Sequence, residues 1–239
     1  MTQAIEGILF DKDGTLLDYA ATWRGVVDTV IEALAPEPAV GAEMAKAAGY
    51  DMTTGAFQPG SPIVSGATAE VAAIWAPFRP DLGAAGLEAA LNASAEAGGD
   101  VRPVTMVPDL IGLLQDLGAR GYLLGVATND AETAARAQLA RIGVDGAFRS
   151  VLGYDSVKRP KPAPDMILRF AEEAGIAPRA LAMVGDSTHD LMAARAARCG
   201  LVVAVLSGPS GAAIRPSLAP LADVMLDSIA DLPGFLATR

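Results

Sequence analysis

Four aspartates, one lysine and a threonine–asparagine pair stand where polar residues interrupt apolar segments of this 239-residue chain. Asp11 and Asp13 follow the apolar residues 5–10, Thr128 and Asn129 follow 122–127, and Asp186 and Asp190 follow 181–184. Lys161 lies in the Pro-rich stretch 158–165, which holds two of the chain's four lysines, Lys158 and Lys161. Two carboxylates about 4 Å apart repel by about 4 kcal/mol at an effective dielectric near 20. A cluster of Asp11, Asp13, Asp186 and Asp190 therefore needs cations. Lys161 supplies one, and a hard divalent ion with oxygen ligands, most simply Mg2+, supplies the rest. Metal, lysine, hydroxyl and turn amides together suit a phosphate oxyanion. Two aspartates one residue apart at a strand end then allow a division of labour. One carboxylate attacks phosphorus and forms an aspartyl-phosphate. The other protonates the leaving oxygen and later takes a proton from water.

The elements that must position these residues alternate along the chain. Short apolar runs at 5–10, 122–127, 150–153, 181–184, 201–206 and 224–226 read as buried strands. Between them, helical apolar spacing at 109–117, 131–142, 166–174 and 191–199 stops at Gly118, Gly143, Gly175 and Gly200. This rhythm predicts an α/β fold, a Rossmann-like parallel sheet with helices on both faces. Ligands of such sheets gather at the carboxyl ends of the strands, where the polar residues fall. Residues 18–102 break the rhythm. They offer helices at 22–34, 40–49, 68–76 and 82–97, no convincing strand, and prolines between them. The expected organisation is a catalytic core of residues 1–17 and 103–239 with an all-helical cap, 18–102, inserted after the first strand. Gly98-Gly99-Asp100 reads as a hinge back to the sheet.

The segments Phe10-Asp11-Lys12-Asp13-Gly14-Thr15-Leu16, Thr128-Asn129, Lys161-Pro162 and Gly185-Asp186-Ser187-Thr188-His189-Asp190 occur in that order. Together they resemble the four ordered motifs of the haloacid dehalogenase superfamily, over the whole chain and closest to its phosphoglycolate-phosphatase-like branch. The resemblance implies that Asp11 is the nucleophile and Asp13 the general acid/base. It implies that Mg2+ is held by the side chains of Asp11 and Asp186 and by the backbone carbonyl of Asp13. Thr128 and the Asn129 amide would hold the phosphoryl oxygens, and Lys161 would bridge them to the nucleophile. Asp190 would support the metal shell and orient Lys161. The implied activity is hydrolysis of a small, phosphoglycolate-like phosphomonoester.

Other residues are read more plainly. Lys12 occupies a variable slot between the aspartates, His189 is structural or exposed rather than a base, and Cys199 is a packing residue. Arg24, the cap cation nearest Asp11 in sequence, is a candidate substrate contact. A phosphomutase of the same architecture is disfavoured by an insert with no histidine and a single lysine, Lys46. A haloacid dehalogenase would lack the second motif aspartate, and a non-catalytic relative would have lost one of the four; all are present.

Composition narrows the partners. Hydrophobic residues make up 51% of the chain and charged ones only 19%, which excludes a disordered chain. No apolar run approaches the roughly 18 residues of a membrane span. A net charge of −10 repels nucleic acid and anionic lipid, so the expected partner is a small phosphorylated metabolite bound by local attraction. Absence of a basic segment before residues 5–10, and a single cysteine, fit a cytoplasmic protein.

Overall fold

The apolar run preceding Asp11 forms β1 (Gly7–Phe10), a strand buried along its whole length. These findings come from a computed structural model, which describes residues 4–58, 60–97 and 102–239. After β1 the chain leaves the sheet through α1 (Tyr19–Leu34), which starts where the Asp18 carboxylate accepts the Ala21 N–H at 3.0 Å. Then follow α2 (Pro38–Ala47), β2 (Tyr50–Asp51), β3 (Ala56–Phe57), α3 (Pro62–Ser65), α4 (Thr68–Trp75) and α5 (Gly83–Ala97). Back at the sheet come α6 (Leu110–Ala119), β4 (Leu123–Ala127), α7 (Glu132–Arg141), β5 (Ser150–Leu152) and α8 (Asp165–Ala174). The chain ends with β6 (Leu181–Gly185), α9 (Thr188–Ala197), β7 (Leu201–Val205), α10 (Arg215–Leu218), β8 (Val224–Leu226) and α11 (Leu232–Ala237).

The six strands β1 and β4–β8 lie in the order β5-β4-β1-β6-β7-β8, and every neighbouring pair is parallel. Alternation along the strands divides the core into two layers. Ile8 and Phe10 pack with Val126 and Val184 against α6, α7 and α11. Leu9 and Met183 pack on the other face with Phe170 of α8 and Leu191 of α9. From β1 the chain visits β4 and β5 on one side before crossing to β6 on the other. That switch leaves a crevice beyond the carboxyl ends of β4, β1 and β6, where open parallel sheets bind ligands.

The insert has a core of its own, in which Trp23, Ile31, Met44, Tyr50 and Trp75 are buried together. The expectation of an all-helical insert needs correction, because β2 and β3 form a short antiparallel hairpin pairing Tyr50 with Phe57. The two rings lie 4.7 Å apart, a favourable cross-strand aromatic pair. The Asp51 carboxylate accepts the Thr53 N–H at 2.8 Å and so shapes the turn. Strands of two residues are too short for alternation to reveal. Helix α9 also starts earlier than its apolar spacing indicated, because Ser187 and Asp190 form a reciprocal capping box before Thr188. The expected hinge at Gly98-Gly99-Asp100 lies outside the described residues. Among those described, no helix is long and apolar enough to cross a membrane.

Phe170 is fully buried over β4, where Gly125 leaves room for its ring. Phe170→Ala should therefore lower unfolding stability by about 3–5 kcal/mol, read from urea titration. A change below about 1 kcal/mol would mean that this layer does not hold the crevice in shape.

Candidate active site

Each strand entering the crevice ends in a turn that aims polar side chains into it. Asp11 and Asp13 leave β1, Thr128 and Asn129 leave β4, and Asp186 leaves β6, with Asp190 on the first turn of α9. All six are buried. Lys161 comes from the loop before α8, and its buried ammonium donates to Asp11 Oδ1 at 2.6 Å, Asp190 Oδ1 at 2.6 Å and the Ala127 carbonyl at 2.8 Å. Its three protons are thus all engaged.

Asp11, Asp186 and Asp190 each present an oxygen, and these oxygens lie within 4.8 Å of one another. Three carboxylates face one ammonium. Burial, together with Asp190 and Asp13, raises Asp11 to about 7 even though Lys161 pulls it down. Asp186 is held well above the ordinary range by burial and by Asp11 and Asp190. Protons are thus drawn to a cluster short of positive charge. Buried oxygen donors of this kind fit a hard divalent cation. Asp190 is committed on both sides, with Oδ1 on Lys161 and Oδ2 accepting the Ser187 N–H at 3.0 Å and its hydroxyl at 2.6 Å. Among the described residues, the side-chain contact to Asp186 is a long one, 3.5 Å, from the Thr15 hydroxyl. Asp186 is therefore the carboxylate most open to a metal. Two glycines make room for it. A Cβ on Gly14 (φ +85°) or on Gly208 would run into the Asp186 carboxylate.

The phosphate-binding candidates divide their work. The Asn129 side chain clasps the Lys161 loop, accepting the Lys161 N–H at 3.1 Å and donating to its carbonyl at 3.1 Å. It also donates to the Ser65 carbonyl of the insert at 3.1 Å. Thr128 accepts the Asp130 N–H at 3.2 Å, which leaves its own proton free to be donated into the crevice. His189 donates from Nδ1 to the same Ser65 carbonyl, at 2.8 Å, a structural contact between insert and core. Arg24 sits on α1, but its side chain is outside those described.

Lys12 departs from its sequence reading. It is fully buried and pairs with Asp13 Oδ2, with Asp130 at 3.0 Å and with Gln138 Oε1 at 2.6 Å. Burial opposes its charge, yet Asp13 and Asp130 hold its pKa above the ordinary lysine range. Burial raises Asp13 while Lys12 pulls it back. With Oδ2 held by Lys12, Oδ1 is left buried and without a hydrogen bond. Sequence reasoning missed Lys12 because a residue between two exposed-looking aspartates gives no sign of burial. A charged residue directly after a buried strand was the available signal.

A family model described as haloacid dehalogenase-like hydrolase matches residues 5–198. A phosphoglycolate phosphatase from Shigella boydii serotype 4 is 31% identical over 245 residues, covering 95% of this chain and 91% of that enzyme. The phosphoglycolate phosphatase of Escherichia coli K12 is 39% identical over 126 residues, 53% of this chain and 48% of its own. A predicted phosphoglycolate phosphatase structure from Haemophilus somnus aligns over 100% of both chains, with TM-score 0.70 and 21% identity. The structure of CbbY from Rhodobacter sphaeroides in complex with phosphate aligns over 95% of this chain and 96% of its own, with TM-score 0.71 and 21% identity. At such identities the two structures speak for the fold.

Lys12→Met should leave Asp13 and Asp130 without their buried cation and cost about 3–5 kcal/mol of stability in denaturant unfolding. Adding Asp130→Asn should recover part of that loss. A single variant as stable as the parent would show that Lys12 merely fills space.

Proposed function

Because the chain belongs to the haloacid dehalogenase-like hydrolases, we propose that it is a Mg2+-dependent phosphatase hydrolysing a small phosphomonoester through an aspartyl-phosphate. The observation that carries this reading is the Lys161 ammonium, 2.6 Å from both Asp11 and Asp190 within a buried carboxylate cluster. Relatives named phosphoglycolate phosphatase support the ester class. The carboxylates of Asp11 and Asp186 and the main-chain carbonyl of Asp13 would hold Mg2+. When bound, the ion offsets charge on the phosphoryl oxygens.

In the first step the Asp11 carboxylate attacks phosphorus and the bond to the leaving oxygen breaks. Asp13 gives that oxygen its proton, and an alcohol departs. Burial favours the protonated form of Asp13, as a general acid requires. In the second step water attacks the aspartyl-phosphate, Asp13 takes a proton from the water, and inorganic phosphate leaves with Asp11 restored. Lys161 steadies Asp11 and the charge gathering on the phosphoryl oxygens, while Thr128 and the Asn129 backbone amide donate to them. Ser65, in contact with Asn129 and His189, closes the insert over the crevice and limits water there. Such a lid suits small soluble esters over phosphoproteins or nucleic acids.

Phosphate release from a panel of phosphorylated metabolites tests this reading. Activity should appear with Mg2+, vanish in excess chelator and return when Mg2+ is restored. Asp11→Asn should fall at least about 10³-fold while keeping its circular dichroism, because the amide is a far poorer nucleophile. Turnover equal to the parent would overturn the covalent mechanism. Asp13→Asn should lose about 10²–10⁴-fold on alkyl phosphates, and less on nitrophenyl phosphate in single-turnover phosphorylation, since that leaving group needs little acid. Equal losses would remove Asp13 as the proton donor.

A further inference from the structure

The crevice continues into the insert. The catalytic chamber, about 20 Å³, and a second chamber of about 110 Å³ share Gly66 and Asp130 as walls. The second chamber is lined chiefly by apolar side chains, among them Trp23, Val27 and Val30 from α1, Val71 and Trp75 from α4, and Leu91 from α5. No lysine, arginine or histidine occurs among its described lining residues. The Tyr19 hydroxyl there is engaged by the Ile63 carbonyl at 2.9 Å. The one carboxylate is Asp130, 3.0 Å from Lys12, and Lys12 is also paired with Asp13, fully buried and closed to an anion.

Between the two chambers lies a buried polar pair. The Trp23 indole N–H faces the Asp13 carboxyl as a donor, short of full hydrogen-bond geometry, and both residues are more than nine-tenths buried. Trp23 lines the second chamber and Asp13 the catalytic one.

We propose that the second chamber receives the organic half of the substrate, and that this half is uncharged and apolar, an aryl or branched-alkyl group instead of a carboxylate-bearing one such as glycolate. A carboxylate entering the chamber would lose its water, find no cation among the described lining residues and face Asp130. Each methylene buried there is worth about fourfold in binding. This inference rests on the phosphatase reading and differs from the glycolate specificity that the relatives' names suggest.

The test compares kcat/KM of the full chain with Mg2+ for benzyl phosphate, ethyl phosphate and phosphoglycolate, whose leaving alcohols all need an acid. Benzyl phosphate should exceed ethyl phosphate by at least about 30-fold, and phosphoglycolate should fall below ethyl phosphate. Phosphoglycolate as the best of the three, or benzyl and ethyl phosphate turned over equally, would overturn the proposal. Val30→Lys, at a half-buried position where an ammonium can reach the mouth, should shift the phosphoglycolate-to-benzyl ratio at least about tenfold toward phosphoglycolate. An unchanged ratio in the folded variant would refute the chamber as the leaving-group site. If no ester releases phosphate, the phosphatase reading itself fails. Calorimetric binding of benzylphosphonate against phosphonoacetate then still decides the chamber: tighter benzylphosphonate supports it, and tighter phosphonoacetate overturns it.

Discussion

Carboxylates buried together repel one another and lose their water, so such a cluster exists only where cations accompany it. In this protein the Lys161 ammonium is the cation around which the crevice is arranged. It touches β1 through Asp11, β4 through the Ala127 carbonyl and α9 through Asp190. It therefore ties together three elements far apart in sequence. The loop that carries it is clasped in turn by Asn129. One ammonium against Asp11, Asp186 and Asp190 still leaves the cluster short of positive charge, and the raised pKa values of Asp11 and Asp186 express that shortage. In the proposed function a hard divalent ion would answer it, and a phosphoryl dianion could then be held by a chain whose net charge is −10.

A second lysine solves the same problem on the other side of β1. Lys12 is enclosed by Asp13, Asp130 and Gln138, so Asp13 sits in an electrostatic environment separate from that of Asp11. Strand alternation would put these two aspartates on one face, but both lie beyond the end of β1, where the chain turns into Gly14 (φ +85°), and they meet different partners. That separation supports the proposed division in which one is the nucleophile and the other carries a proton. Asp130, the other carboxylate on Lys12, lines both chambers, so the Lys12 cluster borders the apolar cavity as well.

The insert contributes shape more than charge. Its aromatic and aliphatic core extends into the wall of the second chamber, so packing and recognition share Trp23, Val27, Val71 and Trp75. Ser65, at the end of α3, meets both Asn129 and His189 and so registers the insert directly over the reacting groups. Contacts farther out, Asn92 with the Tyr154 hydroxyl at 2.9 Å and Tyr154 with Glu88 at 2.5 Å, hold α5 against the core.

Much of this was legible along the chain. Buried parallel strands read as unbroken apolar runs, and their ends are marked by abrupt polarity, so Asp11, Thr128 and Asp186 declare themselves as strand-end residues. The parallel order follows from helices between the strands. Lys161 was legible because lysines are few and this one sits in a Pro-rich turn. What remained hidden depends on neighbours distant in sequence. Lys12 read only as a variable slot between the aspartates because its buried partners, Gln138 and Asp130, lie more than a hundred residues away. The hairpin at Tyr50 and Phe57 is too short to show a period. The chemistry available at strand ends is therefore written in residue type and order, which are local. The character of the second chamber, and which aspartate keeps company with which lysine, were decided only when helices from the insert closed over the sheet and removed those groups from water.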